Sequence, residues 1–152
     1  MKPFVLGSKA GLEDLYQVAV LGRRVALAPK TAARLSAIRG RLENSLKDGR
    51  AVYGINTGFG ELASRRIPSK DCARLQVNLI RSHACGAGEP LSDAQARGLM
   101  FLRANELARG HSGIRVQTLQ TMLRFLNAGL IPFIPSRGSV GASGDLAPSA
   151  HV

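Results

Sequence analysis

Four stretches of this chain repeat apolar residues at the three-and-four spacing of an amphipathic helix, and a capping box marks a fifth helix. The spacing predicts a short helix over 12–20. A longer one follows over 29–47, with Ala32, Leu35, Ile38, Leu42 and Leu46 on one stripe, Pro29 at its first position and Gly49 just past its end. A third, capped by Ser69, places Cys72, Leu75, Leu79 and His83 on one face and ends in the run 85–90. Ser92 with Gln95 forms a capping box for a fourth that reaches about Arg109. Val116, Leu119, Leu123 and Leu126 define a fifth over about 114–127, closed by Gly129. The last residues, Pro148 to Val152, read as the first turn of a further helix. The fold class is mainly α. Ala51 to Tyr53 is an extended segment, and two glycine-rich stretches, 53–60 and 138–147, interrupt the helical pattern as loops.

With 152 residues, 45% hydrophobic and 20% charged, the chain can bury one core and is too apolar to be disordered. No apolar run approaches the ~20 residues of a membrane span. The N-terminus has no signal-peptide core, so a cytoplasmic protein is expected. Cys72 and Cys85 have no partners at zinc-ligand spacing and read as reduced core thiols. No metal site is expected.

Charge points elsewhere. Lysine and arginine total 21 against 10 acidic residues, a formal +11, the footprint of a nucleic-acid binder. Yet the arginines are scattered one or two at a time, and aromatics are only 5%, so stacking platforms are scarce. Such arginines fit a solvated surface or a subunit interface better.

The segment Gly138-Ser139-Val140-Gly141-Ala142-Ser143-Gly144-Asp145 admits three readings. It could be a turn with Ser143 or Asp145 capping the next helix. It could cradle phosphate, but no Lys-Ser/Thr pair follows the glycines, so the P-loop pattern fails. The third is covalent. The unguarded Gly144 nitrogen can approach the Ala142 carbonyl, closing a five-membered imidazolone with loss of water; Ser143 then loses its hydroxyl as a second water. The product is an electrophile that no ordinary side chain provides.

Residues 138–148 closely resemble the active-site signature of the aromatic amino acid ammonia-lyases, apart from Ser149 where those proteins usually carry Leu. That departure bears on the packing of the following helix. Tyr53-Gly54-Ile55-Asn56-Thr57-Gly58-Phe59-Gly60 resembles the family's tyrosine loop, and Arg109-Gly110-His111-Ser112-Gly113-Ile114-Arg115 a third family segment. Ser82-His83 resembles the histidine-specific branch at the position that separates substrates. His111 and His151 carry no matching role and read as surface or helix-end residues.

The resemblance implies a carbon–nitrogen lyase that eliminates ammonia from L-histidine to give trans-urocanate in histidine degradation. It further implies an autocatalytic methylidene-imidazolone group (MIO) made from Ala142, Ser143 and Gly144, with no external cofactor. Tyr53 would be the general base and His83 would bind the substrate imidazole. A tyrosine hydroxyl ordinarily titrates near ~10, so this role needs a strongly polarised site. Without the resemblance, Tyr53 reads as a core aromatic and His83 as a satisfied core histidine. The implied fold is the N-terminal part of an all-helical homotetramer, with residues 1–110 as one unit and 111–152 opening the central helical domain. Alternatives are a phenylalanine or tyrosine ammonia-lyase, an aminomutase of the same fold, or, more distantly, a nucleic-acid-binding domain. Family members are longer. The 152 residues alone are therefore expected to be an inactive fragment, with the stripe of Val116, Leu119, Leu123 and Leu126 partly exposed and interface arginines lacking acidic partners.

Overall fold

The computed structural model describes residues 1–47, 49, 51–138 and 146–152. The order is β1 (Phe4–Val5), α1 (Leu12–Ala19), β2 (Val25–Ala26), α2 (Pro29–Lys47), a 3₁₀ turn (Gly60–Leu62), α3 (Ser69–His83), β3 (Ala87–Pro90), α4 (Asp93–Leu107), α5 (Val116–Ala128), β4 (Pro135–Arg137) and α6 (Leu146–His151). Every helix expected from the periodicity is present, and none among the described residues is long and apolar enough to cross a membrane. Two small sheets were not anticipated. β1 and β2 pair in parallel, with α1 as the crossover that parallel strands require. β3 and β4 pair antiparallel.

Three helix ends sit where local chemistry predicts them. Pro29 opens α2. Ser92 and Gln95 exchange the hydrogen bonds of a capping box at the start of α4. Gly129, at φ 72°, closes α5 in the left-handed conformation that favours glycine. Ser69 is a correction: Pro68, in extended geometry, is the cap of α3, and Ser69 is already its first helical residue. Tyr53 likewise opens a turn rather than ending a strand, as Ile55 and Asn56 both donate to the Val52 carbonyl.

α4 lies at the centre. Its Met100, Phe101 and Ala104 pack with Phe4, Leu6, Val18 and Val25 from the N-terminal segment and with Leu35 of α2. Phe4 meets Phe101 edge to face at 5.0 Å. Each such large side chain contributes about 1.5–3 kcal/mol when fully buried. The α5 stripe overturns its expected exposure: Leu119, Leu123 and Leu126 are buried in this same core, and Val116 packs against it. Apolar surface is left open instead between α1 and α4, where Leu12, Tyr16, Val20 and Leu102 edge a groove of about 920 Å³. Cys85 is exposed and Cys72 half-buried, so neither is a core thiol, though both are free.

Several arginines satisfy main-chain carbonyls rather than acids. Arg97 donates to the carbonyls of Val18, near the end of α1, and Leu126, near the end of α5. Arg34 donates to those of Ala108 and Arg109, just past α4. Helix C-termini leave such acceptors orphaned and favour positive charge, so a guanidinium fork suits them. Arg39 donates to the Gly113 carbonyl and to Glu43, and its hydrogen bond to that carboxyl holds Glu43 below the ordinary carboxylate range. Part of the charge excess is therefore structural, without any missing acidic partner. The 109–115 segment is explained by the same packing. A Cβ on Gly110 would lie 2.7 Å from Ile38, and one on Gly113 2.6 Å from Leu42, so both glycines let this loop run beneath α2.

Candidate active site

The 53–60 loop is shaped by its own side chains. The Asn56 carboxamide oxygen accepts from the Val52 N–H at 2.7 Å, and the buried Thr57 hydroxyl accepts from the Gly54 N–H at 3.2 Å. Gly54, at φ 73°, makes the turn, and a Cβ on Gly58 would sit 2.6 Å from Leu62. Asn, Thr and Gly here build a platform, and its product is an outward Tyr53. That residue is 64% exposed and meets Phe59 edge to face at 6.0 Å, so it is not a core aromatic.

Helix α3 has no fully buried residue. The predicted stripe of Cys72, Leu75, Leu79 and His83 is its half-buried face. His83 ends the helix, where its Nδ1 lies 2.8 Å from the Leu79 carbonyl oxygen and 3.0 Å from Ser82 Oγ. A carbonyl only accepts, so Nδ1 carries a proton, and the neutral tautomer that makes this bond has Nε2 as its acceptor.

These two segments converge. Tyr53 and Phe59 of the loop, Leu79 and His83 of α3, and Ser149 and Ala150 of α6 line one cleft of about 760 Å³. Ser149 is exposed here, so the departure from the usual Leu alters the cleft wall rather than a core contact. Ala142, Ser143 and Gly144 lie outside the described residues. Their flanks do not. Gly138 precedes them, packed so closely on Gly86 that a Cβ would lie 3.0 Å from the Gly86 Cα; α6 follows them and contributes to the cleft.

His111 is exposed, as expected. His151 does more than end a helix: its Nε2 accepts a hydrogen bond from the Gly86 N–H at 3.3 Å. Nothing in the sequence signals that contact, because it joins residues far apart in the chain. Among the described residues no group of three His, Cys, Asp or Glu side chains could hold a metal ion.

Comparison with known proteins identifies the family. Residues 10–152 match the aromatic amino acid lyase family. Over 146 residues the chain is 53% identical to the histidine ammonia-lyase of Anaeromyxobacter dehalogenans, covering 96% of this chain and 29% of that protein. The crystal structure of histidine ammonia-lyase from Trypanosoma cruzi superimposes with a TM-score of 0.85 at 39% identity, over 99% of this chain and 28% of that one. Tyrosine aminomutase from Streptomyces globisporus gives 0.91 at 32% identity, with coverage of 99% and 28%. The chain thus spans under a third of the length of these relatives, and within that span it shares their fold. It belongs to the aromatic amino acid lyase family.

Proposed function

We propose that this chain carries the N-terminal part of a histidine ammonia-lyase site, one that removes ammonia from L-histidine to leave trans-urocanate. The observation that carries the reading is the single cleft shared by Tyr53, His83 and the helix that follows Ala142-Ser143-Gly144. Relatives named histidine ammonia-lyase support the substrate assignment.

In this reading the tripeptide fits the MIO group by its own composition, since it supplies every atom required. The Gly144 nitrogen bonds to the Ala142 carbonyl carbon and that oxygen departs as water. Ser143 then loses its hydroxyl and α-hydrogen as a second water, leaving the exocyclic methylene. Once formed, the group supplies an electrophile for the substrate amine, which makes nitrogen the better leaving group. Tyr53, exposed on the cleft wall, takes the proton from the substrate β-carbon as the carbon–carbon double bond forms. His83 offers Nε2 as acceptor to the substrate imidazole N–H, a partner that a phenyl ring lacks. The same reading carries a cytoplasmic homotetramer, with residues 111–152 opening its central helical unit. The 152 residues alone are proposed to be inactive, because the matched span is 29% of the relatives' length.

Likeness to a tyrosine aminomutase favours a second reading, in which the same site acts on another aromatic amino acid. Assays with L-histidine, L-tyrosine and L-phenylalanine separate the two. Intact mass of the protein, at the full length its gene encodes, tests the shared chemistry. A deficit of two water molecules is expected; an unshifted mass in active enzyme rules the group out.

A further inference from the structure

Gly86 sits where three segments cross. It lies three residues beyond His83, at the entry to β3. A Cβ there would lie 2.9 Å from Pro135 of β4 and 3.1 Å from His151 Nε2 of α6. Gly138 presses on it from a third side. In this crowded junction the main chain leaving His83 is tied to α6 through the Gly86 N–H and the His151 imidazole. α6 also supplies Ser149 and Ala150 to the cleft, so this bond joins two of its walls.

We propose that His151 is a positioning residue for substrate recognition, its Nε2 fixing the His83-bearing end of α3 against the α6 wall of the cleft. This rests on the reading of His83 given above. To accept from an amide, Nε2 must be unprotonated, so the neutral ring holds its proton on Nδ1. Removing the tie lets the segment 84–86 move away from α6. His83 then swings with the end of its helix, and the imidazole of a bound substrate loses its aligned partner. Small misplacements of this kind weaken recognition without touching a reacting atom.

The test compares His151→Ala and His151→Gln in the enzyme at its full encoded length, since a glutamine carbonyl oxygen can stand where Nε2 accepts. Expected for His151→Ala is a KM for L-histidine raised about tenfold with kcat within roughly threefold, and a Gly86 amide that exchanges about tenfold faster. His151→Gln restores both to within about threefold. Circular dichroism matching the wild type shows that the variants fold. An unchanged KM in a folded His151→Ala enzyme overturns the proposal, as does a glutamine variant as impaired as the alanine one. Should the wild type itself leave L-histidine untouched, it is the substrate reading that fails. The Gly86 exchange rates of the three proteins then decide the tie alone: rates that do not differ overturn it.

Discussion

Asn127 holds Val25 by both main-chain groups: its Oδ1 accepts from the Val25 N–H at 2.9 Å, and its Nδ2 donates to the Val25 carbonyl at 2.9 Å. A side chain at the end of α5 therefore acts as an extra strand beside β2. Val25 is 3% exposed, so neither group has ready access to water. Asn127→Leu leaves both unsatisfied and should cost about 2–4 kcal/mol. Urea unfolding should show a lower midpoint at unchanged slope.

Arg97 offers a second stability test. Its fork spans carbonyls near the ends of α1 and α5. Lysine keeps the charge but presents a single ammonium, which cannot reproduce that fork. Arg97→Lys should lose about 1–2 kcal/mol and Arg97→Met somewhat more, as the Val18 carbonyl then loses the fork and the Leu126 carbonyl keeps only the Gly129 N–H. Thermal unfolding at two salt concentrations checks the cause. A loss that vanishes at high salt points to charge alone rather than geometry.

Tyr53→Phe removes a hydroxyl from an exposed ring and keeps the edge-to-face contact with Phe59. Stability should stay within ±0.5 kcal/mol, the usual range at the surface. Turnover of L-histidine by the full-length enzyme should fall by ~10² or more, the usual scale for a general base. Near wild-type turnover by the Phe variant removes Tyr53 from that role.

His83→Leu replaces the one titrating side chain that α3 contributes to the cleft. In the full-length enzyme, histidine activity should drop at least ~10²-fold, with weak activity on L-phenylalanine appearing. The packing of α3 tolerates the change, since His83 is only half-buried. Histidine kinetics that stay unchanged identify His83 as a bystander.

Ser143→Ala deletes the hydroxyl that departs as the second water in the proposed cyclisation. The two-water deficit should disappear from the intact mass along with nearly all turnover, and the circular dichroism should not change. A variant that retains the deficit shows that the lost waters come from elsewhere.

Helix bounds were legible in this sequence wherever an end is decided locally. Pro29, the Ser92–Gln95 pair and Gly129 act on backbone groups within one turn, so their roles do not depend on the tertiary fold. Ser69 misled because Pro68 already supplies the extended cap geometry. The short parallel pair β1–β2 was illegible, since two-residue strands have no period to read, and Asn127 holds β2, as Asn105 holds the turn after β1, from about a hundred residues away. The fate of the α5 stripe was misjudged for a related reason: periodicity shows that Leu119 and Leu126 share a face, but not that Phe4, Leu6 and Val25 are there to cover it. Tyr53 and His83 were singled out by their resemblance to family motifs. That they line one cleft, and that His151 reaches Gly86, depends on how distant segments cross.

The long reach of those asparagines sets a schedule on the ribosome. Gly7 waits for Asn105, 98 residues later, and Val25 for Asn127, 102 residues later. At ordinary translation rates of about 5–20 residues per second, each wait lasts roughly 5–20 s. For most of that interval Phe4, Leu6 and Val25 have been made, while α4 and α5, which bury them, have not. The nascent chain thus displays its N-terminal apolar segment for seconds, ample time for a holdase chaperone to bind it. Slowing synthesis before codon 127 should lengthen that exposure.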